Sequence, residues 1–159
     1  MDALGKARAL ALLTPAALLG GALGSQYLGG LHPCEMCYWQ RWPHWAALAL
    51  ALLAIALRKS AAGFLLLALA GLAIFVSGAI GVFHAGVEYG WWEGLTSCST
   101  TLSGGSTEDI LNSIMATPVV RCDQAQWTLG GISLAGFNAI FSIGAAIAIW
   151  MLMAKARKQ

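Results

Sequence analysis

Charge is scarce in this chain: Lys, Arg, Asp and Glu make up only 10% of its 159 residues, while 58% are hydrophobic. An ordinary soluble domain carries about a quarter charged residues, so a soluble fold is excluded and lipid is the expected surroundings. The formal net charge is also small, +2, and the basic residues stand in short groups beside apolar runs. That leaves no basic face for nucleic acid, and this partner class is set aside. No internal repeat and no second domain is legible. A c-type haem is excluded because Tyr38 follows Cys37 where that attachment needs His.

What is present instead is four apolar runs without a charged residue: Ala9 to Leu31, Trp42 to Leu57, Ala61 to Val82 and Ile132 to Met153. Each approaches the ~20 residues a helix needs to cross a ~30 Å hydrocarbon core. The expected fold is an all-α membrane protein, a four-helix transmembrane bundle with loops over 32–41 and 83–131. Lys6 and Arg8 precede the first run, Arg58 and Lys59 join the second to the third, and Lys155, Arg157 and Lys158 follow the fourth. Basic residues stay on the cytoplasmic side, so both termini are expected there and both other loops outside. The first run also begins like a cleavable signal peptide, but it is too long for one, and cleavage would set the remaining basic clusters in conflict.

All four cysteines fall in the outward loops, in the oxidising compartment. Cys34 and Cys37 form a C-x-x-C pair in the first loop, with Arg41 four residues on. Pro33 suits the first position of a helix, which would put both sulfurs in its opening turn, where the macrodipole favours a thiolate. Pro43 opposes that by crowding the carbonyl of Trp39, so the helix either bends there or starts only near Trp42. In the long second loop, Ser106 and Asp109 fit a capping box, and Ile110, Leu111, Ile114 and Met115 form a stripe ending before Pro118. A short amphipathic helix on the outer membrane surface is expected. Six tryptophans, Trp39, Trp42, Trp45, Trp91, Trp92 and Trp127, fall near the outward interface, as headgroup anchors do. Gly20 and Gly24 have the spacing that lets membrane helices approach closely.

Four cysteines allow three connectivities. A disulfide between Cys34 and Cys37 closes too small a ring to constrain the unfolded chain much, so redox use outweighs a structural role for that pair. For Cys98 and Cys122 a loop staple and a redox role remain open. A metal at the first pair, with His32 or His84, is the rival, but the second pair lacks a matching short spacing and extracellular cysteines tend to disulfide. Arg41 at a membrane interface needs a partner and could favour a thiolate or hold an acceptor's carbonyl; simple snorkelling to headgroups is the plainer reading. Electrons reaching a dithiol in lipid need a lipid-soluble acceptor, and a quinone meets that need.

The run Pro33, Cys34, Glu35, Met36, Cys37, Tyr38, Trp39, Gln40, Arg41 resembles the motif of the DsbB disulfide-forming membrane proteins. The segment from Arg121 to Trp127 leading into Gly130, Gly131, Ile132 and Ser133 is similar to that family's return into its last span. Vitamin K epoxide reductase relatives carry the loop pair first, whereas here it follows. The resemblance implies a thiol oxidase of the bacterial inner membrane. Cys98 would form the mixed disulfide with a periplasmic thioredoxin-fold oxidase of the DsbA type, with Cys122 as its partner in the loop. Electrons would pass to Cys34 and Cys37, with Cys37 beside ubiquinone or menaquinone and Arg41 helping to hold it. His84 stands where the family has a histidine near its quinone, against the plainer reading of an interfacial histidine. The rival classes are a related oxidase with a dedicated partner and a non-enzymatic scaffold whose disulfides only brace loops.

Overall fold

A computed structural model describes residues 2–94 and 120–158. Its elements are α1 (Ala3–Tyr27), α2 (Glu35–Ala56), α3 (Ala61–Glu88), a hairpin of β1 (Thr128–Leu129) and β2 (Ile132–Ser133), and α4 (Leu134–Ala156). Each helix opens on a side chain that accepts the amide N–H three residues on, satisfying one of the orphan donors of a helix start. Asp2 takes Gly5 N–H at 2.8 Å, Ser60 takes Gly63 N–H at 3.2 Å and Ser133 takes Gly136 N–H at 3.1 Å. In α2 the cap is the sulfur of Cys34, which accepts from Cys37 N–H at 3.2 Å.

That cap corrects the expected start of α2. Pro33 lies outside the helix, ahead of the cap, and Glu35 is the first helical residue. Pro43 sits inside α2, which continues past it to Ala56, so neither a start near Trp42 nor an end at the proline is found. The other helices run past their apolar cores: α1 begins six residues earlier than its apolar run, and α3 continues to Glu88, which takes His84 out of the loop and into the helix. The stripe from Ser106 to Met115 and the segment carrying Cys98 lie outside the described residues.

Three helices, α1, α3 and α4, are long and apolar enough to cross a membrane. The second expected span is not among them, because the first half of α2 carries Gln40, Arg41, Pro43 and His44. It is nonetheless packed into the bundle: α1 lies against α2 and α4, and α3 lies against the same two. Alanines make the close contacts at one end, with Ala7, Ala11, Ala47, Ala51, Ala54, Ala70 and Ala146 fully buried around Leu67, Ile74 and Ile149. Small side chains let backbones approach, and dispersion then replaces the hydrophobic drive that lipid does not supply. The tightest approach is α3 on α4, where a Cβ added at Gly78 would sit 2.8 Å from Ile143 and one at Gly81 would sit 3.0 Å from the Ala135 carbonyl. Gly20 and Gly24 play no such part among the described residues, for a Cβ at either meets nothing within 4 Å.

The hairpin was not expected, although its signal is a glycine pair. Gly130 at φ 59° and Gly131 at φ 80° give the two left-handed residues that a tight turn between twisted strands requires. Tyr89 clamps it to the end of α3, its hydroxyl donating to Gly131 O and accepting from Ser133 N–H, each at 3.0 Å. Gln126 donates to the His32 carbonyl in the first loop. These ties lay the segment bearing Cys122 over the start of α2.

Candidate functional site

The start of α2, the last turns of α3 and residues 120–127 converge on one cluster of sulfur. Cys34, Met36, Val87 and Cys122 are buried together, with Cys37, Phe83 and Val120 against them. The Cys34 and Cys37 sulfurs are 2.7 Å apart, within reach of a single disulfide, because the N-cap and the third helical residue share one turn. Cys122, separated from them by more than eighty residues of sequence, is 5% exposed in the same cluster. Cys98, the fourth expected site residue, lies outside the described residues.

The two close sulfurs share a proton unevenly. The hydrogen bond from the Cys34 thiol to Cys37 is the main cause: it raises the Cys34 pKa well above the usual thiol value, and burial adds to this. The same hydrogen bond holds Cys37 below its usual value, and the Arg41 charge acts in the same direction. Of the two, Cys37, the partly exposed sulfur, is therefore the one whose ionisation is favoured.

Arg41 has the partner its position demands. Its guanidinium donates to Gln26 Oε1 at 2.6 Å and to the Ala22 carbonyl at 3.2 Å, both on α1, and lies 5.3 Å from the Tyr38 ring centroid. His84 reaches the cluster from α3, with Nε2 3.5 Å from Cys34 Sγ and 3.6 Å from a carboxylate oxygen of the buried Glu88 one turn on. Gln40 donates to Nδ1 of the same ring at 2.7 Å. All of these groups except Cys122, Gln26 and Tyr38 line a cavity of about 200 Å³ between α1, α2 and α4. Its far walls are apolar, formed by Ala17, Leu18, Ala22, Leu134 and Phe137 among others. A flat, apolar molecule with a polar rim fits such a space: the ring would meet hydrocarbon while its oxygens met Arg41 and the thiolate.

The arrangement brings together five of the six residues singled out from sequence, Cys34, Cys37, Cys122, Arg41 and His84. Sequence reasoning missed Gln40, Glu88 and, deeper in the cavity wall, His44 and Asn138. The available signal was polarity inside apolar helices: Gln40 and His44 fall one turn apart on the buried face of α2, and buried polar groups in lipid are expensive enough to imply a purpose. Cys34, Cys37 and His84 also offer three ligand atoms within 4.8 Å of one another, the beginning of a set that zinc could accept. Metal content is thus a direct check on any redox reading.

A protein of Rickettsia prowazekii (strain Madrid E), described as Uncharacterized protein RP370, is 24% identical over 138 residues, 85% of this chain and 79% of its own length. No solved structure matches the chain. Residues 6–152 match the family described as Disulfide bond formation protein DsbB, and with that match spanning most of its length the chain belongs to the DsbB family of membrane disulfide-forming proteins.

Proposed function

We propose that this chain reoxidises a periplasmic thioredoxin-fold dithiol protein of the DsbA type and transfers the two electrons to a membrane quinone. The observation that carries the reading is the meeting of Cys34, Cys37 and Arg41 at the polar end of an apolar cavity, with Cys122 packed against Cys34. A partner thiolate attacks a Cys98–Cys122 disulfide at Cys98 and releases the Cys122 thiolate, the partner's second cysteine displaces Cys98 and leaves as partner disulfide, and thiol–disulfide exchange then passes the reducing equivalents from Cys98 and Cys122 to Cys34 and Cys37. Each exchange moves one thiolate: the attacking sulfur loses its charge and the leaving sulfur takes it. The sum is one partner dithiol and one quinone giving one partner disulfide and one quinol.

Family membership supports the disulfide chemistry and the membrane setting. In this reading α2 is a fourth crossing, both termini are cytoplasmic and the cysteines are periplasmic, as the distribution of Lys and Arg requires. Ubiquinone and menaquinone both fit the cavity's chemistry. Arg41 binds a quinone carbonyl, and Cys37 stands ready as the adjacent thiolate.

The test is anaerobic mixing of the purified protein with a reduced thioredoxin-fold partner and quinone, followed by quinone absorbance. Cys37→Ala is expected to abolish quinone reduction. Arg41→Met is expected to raise the KM for quinone about tenfold, the worth of one charge-assisted hydrogen bond. A partner lacking its resolving cysteine is expected to be trapped on Cys98; a stable adduct on Cys34 would overturn the role given to the second loop. A scaffold braced by disulfides would reduce no quinone in any form.

A further inference from the structure

Beneath the sulfur cluster runs a line of buried polar side chains that the relay above does not use. Its members are Ser142 and Asn138 of α4, His44 and Gln40 of α2, and His84 of α3, all linked by hydrogen bonds. His44, Gln40, His84 and Ser142 are each at least nine-tenths buried. Such a network is costly in lipid unless every member finds a partner, so its direction can be worked out donor by donor.

Two backbone carbonyls, which only accept, fix that direction. Asn138 Nδ2 faces the Ser77 carbonyl at 3.1 Å, so that end of the amide is the NH2 group and the other is the oxygen. Asn138 Oδ1 then only accepts, taking Ser142 Oγ–H and His44 Nε2–H, each at 2.9 Å. His44 Nδ1 is left as the acceptor end of the chain, and it has no partner among the described residues. The same logic holds at Gln40. Its Nε2 faces the Met36 carbonyl at 3.2 Å and is therefore the donor, while its Oε1 accepts from Asn138 at 2.8 Å. The second N–H of Gln40 points at His84 Nδ1, 2.7 Å away. A nitrogen that accepts carries no proton, so the neutral His84 ring carries its proton on Nε2. That N–H stands between Cys34 Sγ at 3.5 Å and a Glu88 carboxylate oxygen at 3.6 Å, and it turns to the sulfur when the sulfur takes on charge.

Resting on the thiol-to-quinone reading, we propose that Asn138 and Gln40, held in direction by His44 and Ser142, are positioning residues that lock His84 as an Nε2–H donor to the Cys34 sulfur. Re-forming the Cys34–Cys37 disulfide removes two electrons and two protons from the dithiol, and the quinone takes up both as quinol. Cys37 yields its proton first. Cys34 must yield the second in order to close the disulfide, and at that moment the His84 N–H receives the charge on its sulfur. With the other tautomer, a lone pair would face that charge and repel it. His84 alone touches the reacting sulfur; the rest of the chain acts through it.

The tautomer can be read directly by nitrogen-15 NMR of the full-length protein, reduced and held in micelles, with labelled histidines assigned through His32→Gln and His84→Gln. The expected result is His84 protonated on Nε2. Asn138→Asp keeps size but replaces the NH2 group by an acceptor. Gln40 must then turn its own NH2 toward position 138 and present Oε1 to His84, moving the proton to Nδ1. The rate of quinone reduction is expected to fall about tenfold in that variant. Should that variant not fold, Gln40→Met removes the donor to Nδ1 and is expected to leave a mixture of tautomers. A wild-type His84 protonated on Nδ1, or an unchanged tautomer in the variant that folds, overturns the proposal. The NMR readout needs neither quinone nor partner. A tautomer shift in a protein that reduces no quinone would therefore overturn the relay reading while supporting the hold of this chain on His84.

Discussion

At the scale of single residues, the site works by giving two adjacent sulfurs different jobs. Cys34 caps a helix and is buried; Cys37 is one turn in, and its bond to Cys34 together with the Arg41 charge holds its thiol below the usual value. The pH dependence follows with a definite sign. A thiol whose value is held down stays ionised as the pH drops below the usual thiol range near 8.5, and loses reactivity only when the pH falls through its depressed value. In the reduced protein, iodoacetamide labelling mapped by peptide mass spectrometry is expected to mark Cys37 in preference to Cys34, with its rate rising at a lower pH than that of an ordinary thiol. Cys34, whose proton is retained by its bond to Cys37 and by burial, is expected to react slowly. Equal labelling of both would contradict the division. Cys34, Cys37 and Arg41 were legible in the sequence because C-x-x-C with a basic residue one turn on has few other uses. His44 and Asn138 were not, since a lone polar residue in an apolar run does not say which distant polar residue it meets.

Among the elements, the α3–α4 contact holds Asn138 of α4 against Ser77 of α3, beside the Gln40 of α2 to which Asn138 donates. Gly81 lies in that contact, with the Ala135 carbonyl and Ala139 amide nitrogen 3.0 and 3.1 Å from where a Cβ would stand. Gly81→Val is expected to push the helices apart and destabilise the bundle by about 1–3 kcal/mol. The measurement is thermal unfolding in detergent, where the midpoint should fall, and quinone reduction should fall with it. Gly20→Val, on a face where an added Cβ meets nothing, is expected to leave the midpoint unchanged. The helices themselves were readable from apolar length. The start of α2 was not, because sulfur is outside the usual set of capping side chains and Pro43, which looked like a boundary, is tolerated within the helix. The Gly130–Gly131 turn had a readable signal, but strands of two residues leave no alternation to detect.

For the whole molecule, the decisive feature is sidedness. Seven of the nine basic residues flank the ends of the helices opposite the cysteine cluster, and the proposed orientation, with the sulfur chemistry on the outer face, rests on that distribution. In a variant free of native cysteines, Lys59→Cys is expected to react with a membrane-impermeant maleimide only after the membrane is opened, whereas Glu93→Cys is expected to react in intact cells. Labelling of both in intact cells would put the two ends of α3 on one side of the membrane and contradict this topology. Four crossings were expected from apolar runs alone, and three helices meet that standard of length and composition. The difference is the polar half of α2: the residues that line the candidate site are the ones that dilute the membrane signal.

The central claim is that the Cys34–Cys37 dithiol gives its electrons to a quinone held beside Arg41. It is tested most directly without any partner, by adding quinone under anaerobic conditions to the fully reduced, metal-free protein and counting quinol formed against thiols lost in peptides carrying Cys34 and Cys37. The account predicts one quinol for each Cys34–Cys37 disulfide formed. Quinone left oxidised while both thiols persist would contradict it.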